Sequence, residues 1–332
     1  MAAVARLAGV SPMTVSRALR DHRSVSADAK KRILAVVDQL GYVPNFTANV
    51  FSSQRSGFVA ALVSSISTSN FADTLHGLTE ILDRHGLQVL LANTDYSVDR
   101  EEELIKTVLQ RRPEAVVLTG GQHTERTRKL LSRSSLVVVE TWDLPANPIG
   151  HVVGFSNARA AKEMVHHLAS RGYCKIGFIG ATTSRDTRGA DRRHGYVDAL
   201  KELKLCNPRI IASEAPPISL RQGGEALAQM IKQYPDTDAV LCVNDVSAVG
   251  AIMECRGRGW AVPDRIAVAG FGDFPIAEAC HPRLTTVQVD CQKIGQRAGE
   301  LIVDSLNAVK SGESYPPLTV MMDYSIVQRE ST

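Results

Sequence analysis

Ala8-Gly9-Val10-Ser11-Pro12-Met13-Thr14-Val15-Ser16-Arg17-Ala18-Leu19 is spaced as a helix, a turn and a second helix. Gly9 suits the left-handed backbone that ends a first helix, Ser11 can cap the second, and Pro12 fits the first helical position, where no N–H is needed. Thr14, Ser16 and Arg17 then fall on the outer side of the second helix, with Val15 and Leu19 on the inner side. Such polar side chains reach phosphates and base edges, so the segment points to DNA. An ordinary helix pair in an α-helical domain is the alternative for these residues taken alone. Downstream, Ser26 and Asp28 open a third helix, Ala29 to Leu40, which carries Lys30, Lys31 and Arg32. Gly41 closes it and Tyr42-Val43-Pro44-Asn45 leads out extended. Three short helices followed by a linker make a DNA-binding headpiece.

The charge distribution agrees. Residues 1–55 hold eight Lys/Arg against three Asp/Glu, whereas the rest of the 332-residue chain holds 30 against 32. A basic head on a near-neutral body implies that the head alone meets a polyanion. The six cysteines (Cys174, Cys206, Cys242, Cys255, Cys280, Cys291) show no C-x-x-C spacing and lie mostly in apolar runs, which reads as buried reduced thiols in a cytoplasmic protein. No signal peptide is evident and no apolar run approaches the length of a membrane span.

From Gly57 onward, short apolar runs alternate with longer amphipathic segments. Strands are expected near 57–63, 87–92, 115–119, 136–140, 151–155, 174–179, 208–212, 238–243, 266–271 and 284–288, with a last one from Met321 to Val327. Such alternation builds parallel sheets covered by helices on both faces. A break near 157–162 divides this α/β body into two similar lobes, and ligands of such sheets bind at the carboxyl ends of the strands. No phosphate-binding loop, nucleophile elbow or metal-ligand spacing occurs, and the first strand runs into Val63-Ser64-Ser65-Ile66-Ser67 instead of a glycine fingerprint. No catalysis, cofactor or metal is therefore expected. A sugar-acid dehydrogenase and a periplasmic solute-binding protein are the rival readings; the basic head argues against the second.

The headpiece, its Leu40-Gly41-Tyr42-Val43-Pro44-Asn45 exit, Val243-Asn244-Asp245, Val262-Pro263-Asp264, and Ala269-Gly270-Phe271-Gly272-Asp273 with Pro282-Arg283-Leu284-Thr285-Thr286-Val287 together resemble the LacI/GalR family of bacterial transcription regulators. The resemblance covers essentially the whole chain. It implies a helix-turn-helix head at 1–44, a hinge helix at 45–56, and a two-lobed, periplasmic-binding-protein-like core of doubly wound parallel sheets at 57–332. The lobes are expected at about 57–157 with 289–316, and 158–288 with 317–330. The implied partners are a palindromic operator in double-stranded DNA, a second copy of the chain and a small effector. Nothing like the tetramer-forming tail of some relatives follows the last strand, so the expected assembly is a homodimer. One departure is at the start, where Met1-Ala2-Ala3-Val4-Ala5 lacks the family's capping Asp.

By the same resemblance, Pro12, Met13 and Arg17 read bases, and Ser11, Thr14, Ser16 and Asn45 anchor phosphates. Phe51 takes the place of the usual Leu wedge in the minor groove. In the core, Arg192 lies three residues before Gly195-Tyr196, where the family carries an arginine that reaches the effector; Arg188 is one turn earlier on the same face. Asn244, Glu140, Trp142, Asn70, Phe71 and Asp273 complete the expected effector set. For Asn244, helix capping explains the residue without a ligand and can hold together with binding; for Asp273, a turn cap is an equal explanation. Relatives carry two acids after the Gly-aromatic pair, whereas this chain has Gly272-Asp273. Losing a carboxylate there favours an anionic ligand. Glu140-Thr141-Trp142-Asp143-Leu144-Pro145, His123-Thr124 and Val153-Gly154-Phe155-Ser156-Asn157 resemble the gluconate-operon repressor branch, which makes gluconate or a close sugar acid the expected effector.

Overall fold

The computed structural model describes residues 1–19, 24–42, 56–181, 186–213 and 216–332. Its contacts divide the chain into two units, Met1–Ser56 and Gly57–Thr332.

The first unit holds α1 (Ala2–Ala8), α2 (Pro12–Leu19) and α3 (Ala27–Gln39). Gly9 ends α1 with a left-handed φ of 65°, and no side chain caps the start of that helix. Ser11 Oγ accepts the Thr14 N–H at 3.1 Å and Ser26 Oγ accepts the Ala29 N–H at 3.3 Å, so the first turns of α2 and α3 each have one orphan donor satisfied. Because Ser26 is the cap, α3 begins two residues earlier than the sequence suggested. Val4, Val15 and Ile33 are wholly inaccessible and with Ala5, Ala8 and Ala18 form a small core. Each such large side chain contributes about 1.5–3 kcal/mol.

The second unit alternates strand and helix through β1 (Phe58–Val63), α4 (Ser69–Asp83), β2 (Gln88–Asn93), α5 (Val98–Gln110), β3 (Ala115–Thr119), α6 (Glu125–Ser132), β4 (Val137–Thr141) and β5 (His151–Gly154). It continues through α7 (Asn157–Ser170), β6 (Ile176–Ala181), α8 (Thr187–Glu202), β7 (Arg209–Ser213), α9 (Leu220–Gln233), β8 (Ala239–Cys242), α10 (Asp245–Gly257), β9 (Ala267–Gly272), α11 (Pro275–Ala279) and β10 (Thr285–Val289). It closes with α12 (Cys291–Ser311), β11 (Thr319–Met321) and β12 (Tyr324–Val327). The first ten strands fall within two residues of their expected positions.

The strands form two sheets, ordered β2-β1-β3-β4-β5-β11 and β7-β6-β8-β9-β10-β12. The two orders are the same pattern, so the lobes are topological copies. Among the described pairings, β10 with β12 is antiparallel and the others are parallel. Each sheet reverses its winding once, between β1 and β3 and between β6 and β8, which opens a crevice at the carboxyl ends of those strands. Helix α12 returns to the first lobe and lies against α4. The approach is close: a Cβ added at Gly295 would lie 1.9 Å from the Thr74 carbonyl, and one at Gly77 would lie 2.0 Å from that of Gln292.

Two expectations are corrected. The final strand is two strands in different sheets. Thr319–Met321 pairs with Val152–Gly154 of the first lobe, and Tyr324–Val327 pairs with β10 of the second. The last crossing therefore lies near 322, not 316, and Met322 still donates its N–H to Gly154 at 2.8 Å. The cysteines are free thiols but not uniformly buried, since Cys174 is exposed and Cys206 and Cys280 are half-buried. Among the described residues, no helix is long and apolar enough to cross a membrane.

Candidate functional site

On α2, Val15 and Ala18 face the small core. Ser11, Pro12, Met13 and Arg17 are exposed, and Thr14 and Ser16 are half-buried. Met13 leaves 59% of its surface in solvent, and with Arg17 one turn on it makes a single outward face. The Ser11 and Thr14 hydroxyls hydrogen-bond at 2.9 Å. Asn45 and Phe51 lie outside the described residues.

In the core, a cavity of about 40 Å³ lies where the strand ends of the two sheets meet. Asn70 and Phe71 enter it from the first turn of α4, Tyr96 from beyond β2 and Trp142 from beyond β4. The second lobe supplies Asp186 as the α8 cap, Arg188 and Arg192 on α8, Asn244 as the α10 cap, and Phe271 with Gly272 at the end of β9. The starts of three long helices thus converge here, an arrangement that favours negative charge. Such a volume holds a few ordered waters and is far below the several hundred Å³ of a typical small-molecule pocket. A small-molecule ligand would fit here only with the lobes further apart.

Arg192 ties this junction together. Its Nε donates to Asn157 Oδ1 at 2.9 Å and its Nη1 to the Val243 carbonyl at 2.6 Å. Its guanidinium lies 3.7 Å from the centre of the Phe271 ring. Burial pulls its pKa down to about 10, against an opposing pull from Asp186. Asn157 in turn donates to the Trp142 carbonyl at 2.9 Å. Arg188, only 6% exposed, donates from Nη2 to Ser64 Oγ of the first lobe at 3.1 Å. Its guanidinium sits 5.7 Å from the Phe71 ring and 5.9 Å from Tyr96. Neither arginine has an ion-pair partner among the described residues. Trp142 packs edge-on against Phe71 and donates its indole N–H to Thr74 Oγ1 at 3.2 Å. Thr68 Oγ1, also on the cavity lining, is buried without a hydrogen-bond partner among the described residues.

Asn244 caps α10, its Oδ1 accepting the Ser247 N–H at 2.7 Å, and also lines the cavity. Asp245 beside it is fully buried, accepting from the Phe274 N–H at 2.6 Å and from Thr286 Oγ1 at 2.5 Å. Burial pushes its pKa up to about 6.

Two expected residues are elsewhere. Glu140 is fully buried below the cleft: Oε1 is 3.2 Å from His123 Nε2, and Oε2 accepts the Ile149 N–H at 2.6 Å. Burial opposes a charge on His123, but its hydrogen bonds to Glu101 and Glu140 outweigh that and raise its pKa to about 9. Asp273 points away from the cavity and pairs with Arg329 at 2.7 Å and with Gln288 at 2.8 Å. What lines the cavity is Gly272, whose φ is 129°; a Cβ there would lie 2.3 Å from the Phe274 ring. Phe274 thus occupies the space that a first acid of the pair would need.

The comparisons with known proteins agree with this architecture. Residues 1–45 match the bacterial regulatory proteins of the lacI family, and residues 165–332 match a periplasmic binding protein-like domain. The HTH-type transcriptional regulator GntR of Pseudomonas aeruginosa is 36% identical over 329 residues, covering 99% of this chain and 94% of that protein. The chain belongs to the lacI family of bacterial regulatory proteins. It is a DNA-binding transcriptional regulator and not an enzyme. A LacI family regulator from Silicibacter pomeroyi, 30% identical, superposes with a TM-score of 0.91 over 99% of this chain and 98% of its own. GntR from Chromobacterium violaceum, 34% identical, does so at 0.76 over 82% and 98%.

This LacI family regulator also lines its cleft with residues that sequence reasoning missed, Tyr96, Asp186 and Phe274, while Asn157 holds Arg192 from behind. The signal was present for the first two, because each follows the carboxyl end of a strand at which ligands of wound sheets bind. Tyr96 and Trp142 carry positive φ of 55° and 72°. Strained backbone of this kind collects at functional sites.

Proposed function

We propose that this LacI family regulator is a repressor released by a sugar acid, gluconate or a close relative, bound between the two lobes. The observation that carries the reading is a pair of guanidiniums, Arg188 buried and Arg192 half-buried, facing one cavity without an ion-pair partner among the described residues. A buried cation favours an anion that can share its desolvation, and a guanidinium forks onto a carboxylate. The unpartnered Thr68 hydroxyl and the start of α4 add donors for the same group. Gly272 in place of an acid removes the charge that would repel it. The relatives named GntR and the resemblance to the gluconate-operon branch support the same ligand class.

In this account a homodimer sets two heads on a palindromic operator. Pro12 and Met13 make apolar contacts with bases, Arg17 reads a guanine, Ser11, Thr14, Ser16 and Asn45 hold phosphates, and Phe51 wedges the minor groove. Since the cleft as described is too small for a six-carbon acid, the ligand binds a different arrangement of the lobes. That differential affinity shifts the population away from the DNA-binding form. A tenfold loss of operator affinity needs about 1.4 kcal/mol of coupling, within reach of one arginine–carboxylate contact.

Isothermal titration tests the ligand class directly. Gluconate is expected to bind and glucose is not; binding of glucose without gluconate would remove the sugar-acid reading.

A further inference from the structure

We infer that the cleft reads its ligand in two chambers, with Glu101 receiving the terminal hydroxyl of an open-chain polyhydroxy acid whose carboxylate lies at the arginines. The inference rests on the sugar-acid reading above and deepens it. A second cavity, of about 30 Å³, adjoins the first and shares Tyr96 and Arg188 with it. Its walls include Ser64, Thr94, Ser97, Thr119 and Glu101.

The two chambers differ in hydrogen-bonding sense. The first offers guanidiniums and helix N-termini, which donate. In the second, two of the hydroxyl protons are already committed: Thr94 Oγ1 donates to the Val63 carbonyl at 3.2 Å and Thr119 Oγ1 to that of Leu62 at 3.0 Å. Their oxygens are left to accept. Ser97 Oγ is occupied as the α5 cap, accepting the Arg100 N–H at 3.2 Å. Ser64 Oγ accepts from Arg188.

Glu101 completes the set. Its Oε1 is 2.6 Å from His123 Nδ1, and the chain continues from His123 Nε2 through Glu140 to the Ile149 amide. The carboxylate is 5% exposed and held by this buried relay, while its Oε2 has no hydrogen-bond partner among the described residues. A buried carboxylate with one oxygen open, beside the accepting Thr94 and Thr119 oxygens, fits a ligand group that donates. In a polyhydroxy acid that group is a hydroxyl. An open chain carries its terminal hydroxyl farthest from the carboxylate, which suits two chambers set side by side.

The test is a two-by-two cycle by isothermal titration: wild type and Glu101→Gln, each with gluconate and 6-deoxygluconate. The full-length protein is used, and operator binding without ligand shows that both variants are folded. In the wild type, deleting the terminal hydroxyl is expected to weaken binding about tenfold or more, as for a hydrogen bond to a charged group. In Glu101→Gln the two ligands are expected to bind within about twofold of each other. If Glu101 acted only by bracing His123, both ligands would lose affinity equally and the tenfold gap would persist, which would overturn the inference. Equal binding of both ligands to the wild type would also overturn it. If gluconate failed to bind the wild type at all, the sugar-acid reading itself would fall with it.

Discussion

Arg192 shows how much one side chain can be made to do. Its Nε and Nη1 hydrogen bonds draw together the start of α7 and the end of β8, and its planar face covers Phe271. Arg192→Met should lower gluconate affinity by about 2–5 kcal/mol, the cost of deleting one partner of a buried charge pair. Operator binding without ligand should stay near wild type, checked by titration calorimetry and anisotropy. Arg17→Ala should relax discrimination at one operator base pair by about 1–3 kcal/mol, read from a panel of operator variants. The place of Arg192 on the cavity lining was foreseen through the family resemblance at Gly195-Tyr196, and that of Arg188 through its position one helical turn earlier. Glu140 was misplaced for a definable reason: it shares strand parity with Trp142, but the positive φ at Trp142 turns the chain, so only the tryptophan reaches the cavity. Asp273 was misplaced because its partner, Arg329, is remote in sequence and reaches it through the fold alone.

Elements behave as their caps and close contacts dictate. The turn between α1 and α2 was legible in full, because Gly9, Ser11 and Pro12 each have one dominant use and the structure shows Gly9 left-handed and Ser11 capping. The β11–β12 segment was not, since no Gly or Pro separates the two short strands and Asp323 is the sole charged residue between Thr319 and Val327. The α4–α12 contact carries a sharp test. Gly295→Ala places a methyl 1.9 Å from the Thr74 carbonyl, so the helices must separate, and a loss of about 1–3 kcal/mol or more is expected in denaturant unfolding. The buried relay beneath β3 and β4 gives a pH signature. The folded pKa of His123, about 9, lies above its ordinary value of 6.5. Its stabilisation is therefore fully present below about pH 6.5 and is lost as pH rises through 9. The stability gap between wild type and His123→Gln should narrow across that window in urea titrations; a gap that stays constant from pH 6 to 9.5 would contradict the assignment.

At the scale of the molecule, two topologically identical lobes meet across a cleft whose basic residues come mainly from the second lobe and whose aromatic wall comes largely from the first. The lobes and their strand order follow from the βα alternation, which sequence periodicity reveals well. The size of the cleft and the paths of the three crossings depend on packing and were not readable. The basic head and near-neutral body imply that operator binding weakens steeply with salt, while effector binding does so less. A sugar acid in the cleft is proposed to change the affinity of the heads for DNA. Fluorescence anisotropy of promoter DNA titrated with the full-length protein, with and without saturating gluconate, tests it most directly. The account predicts tight, salt-sensitive binding that gluconate weakens about tenfold or more; binding curves that superimpose with and without gluconate would contradict it.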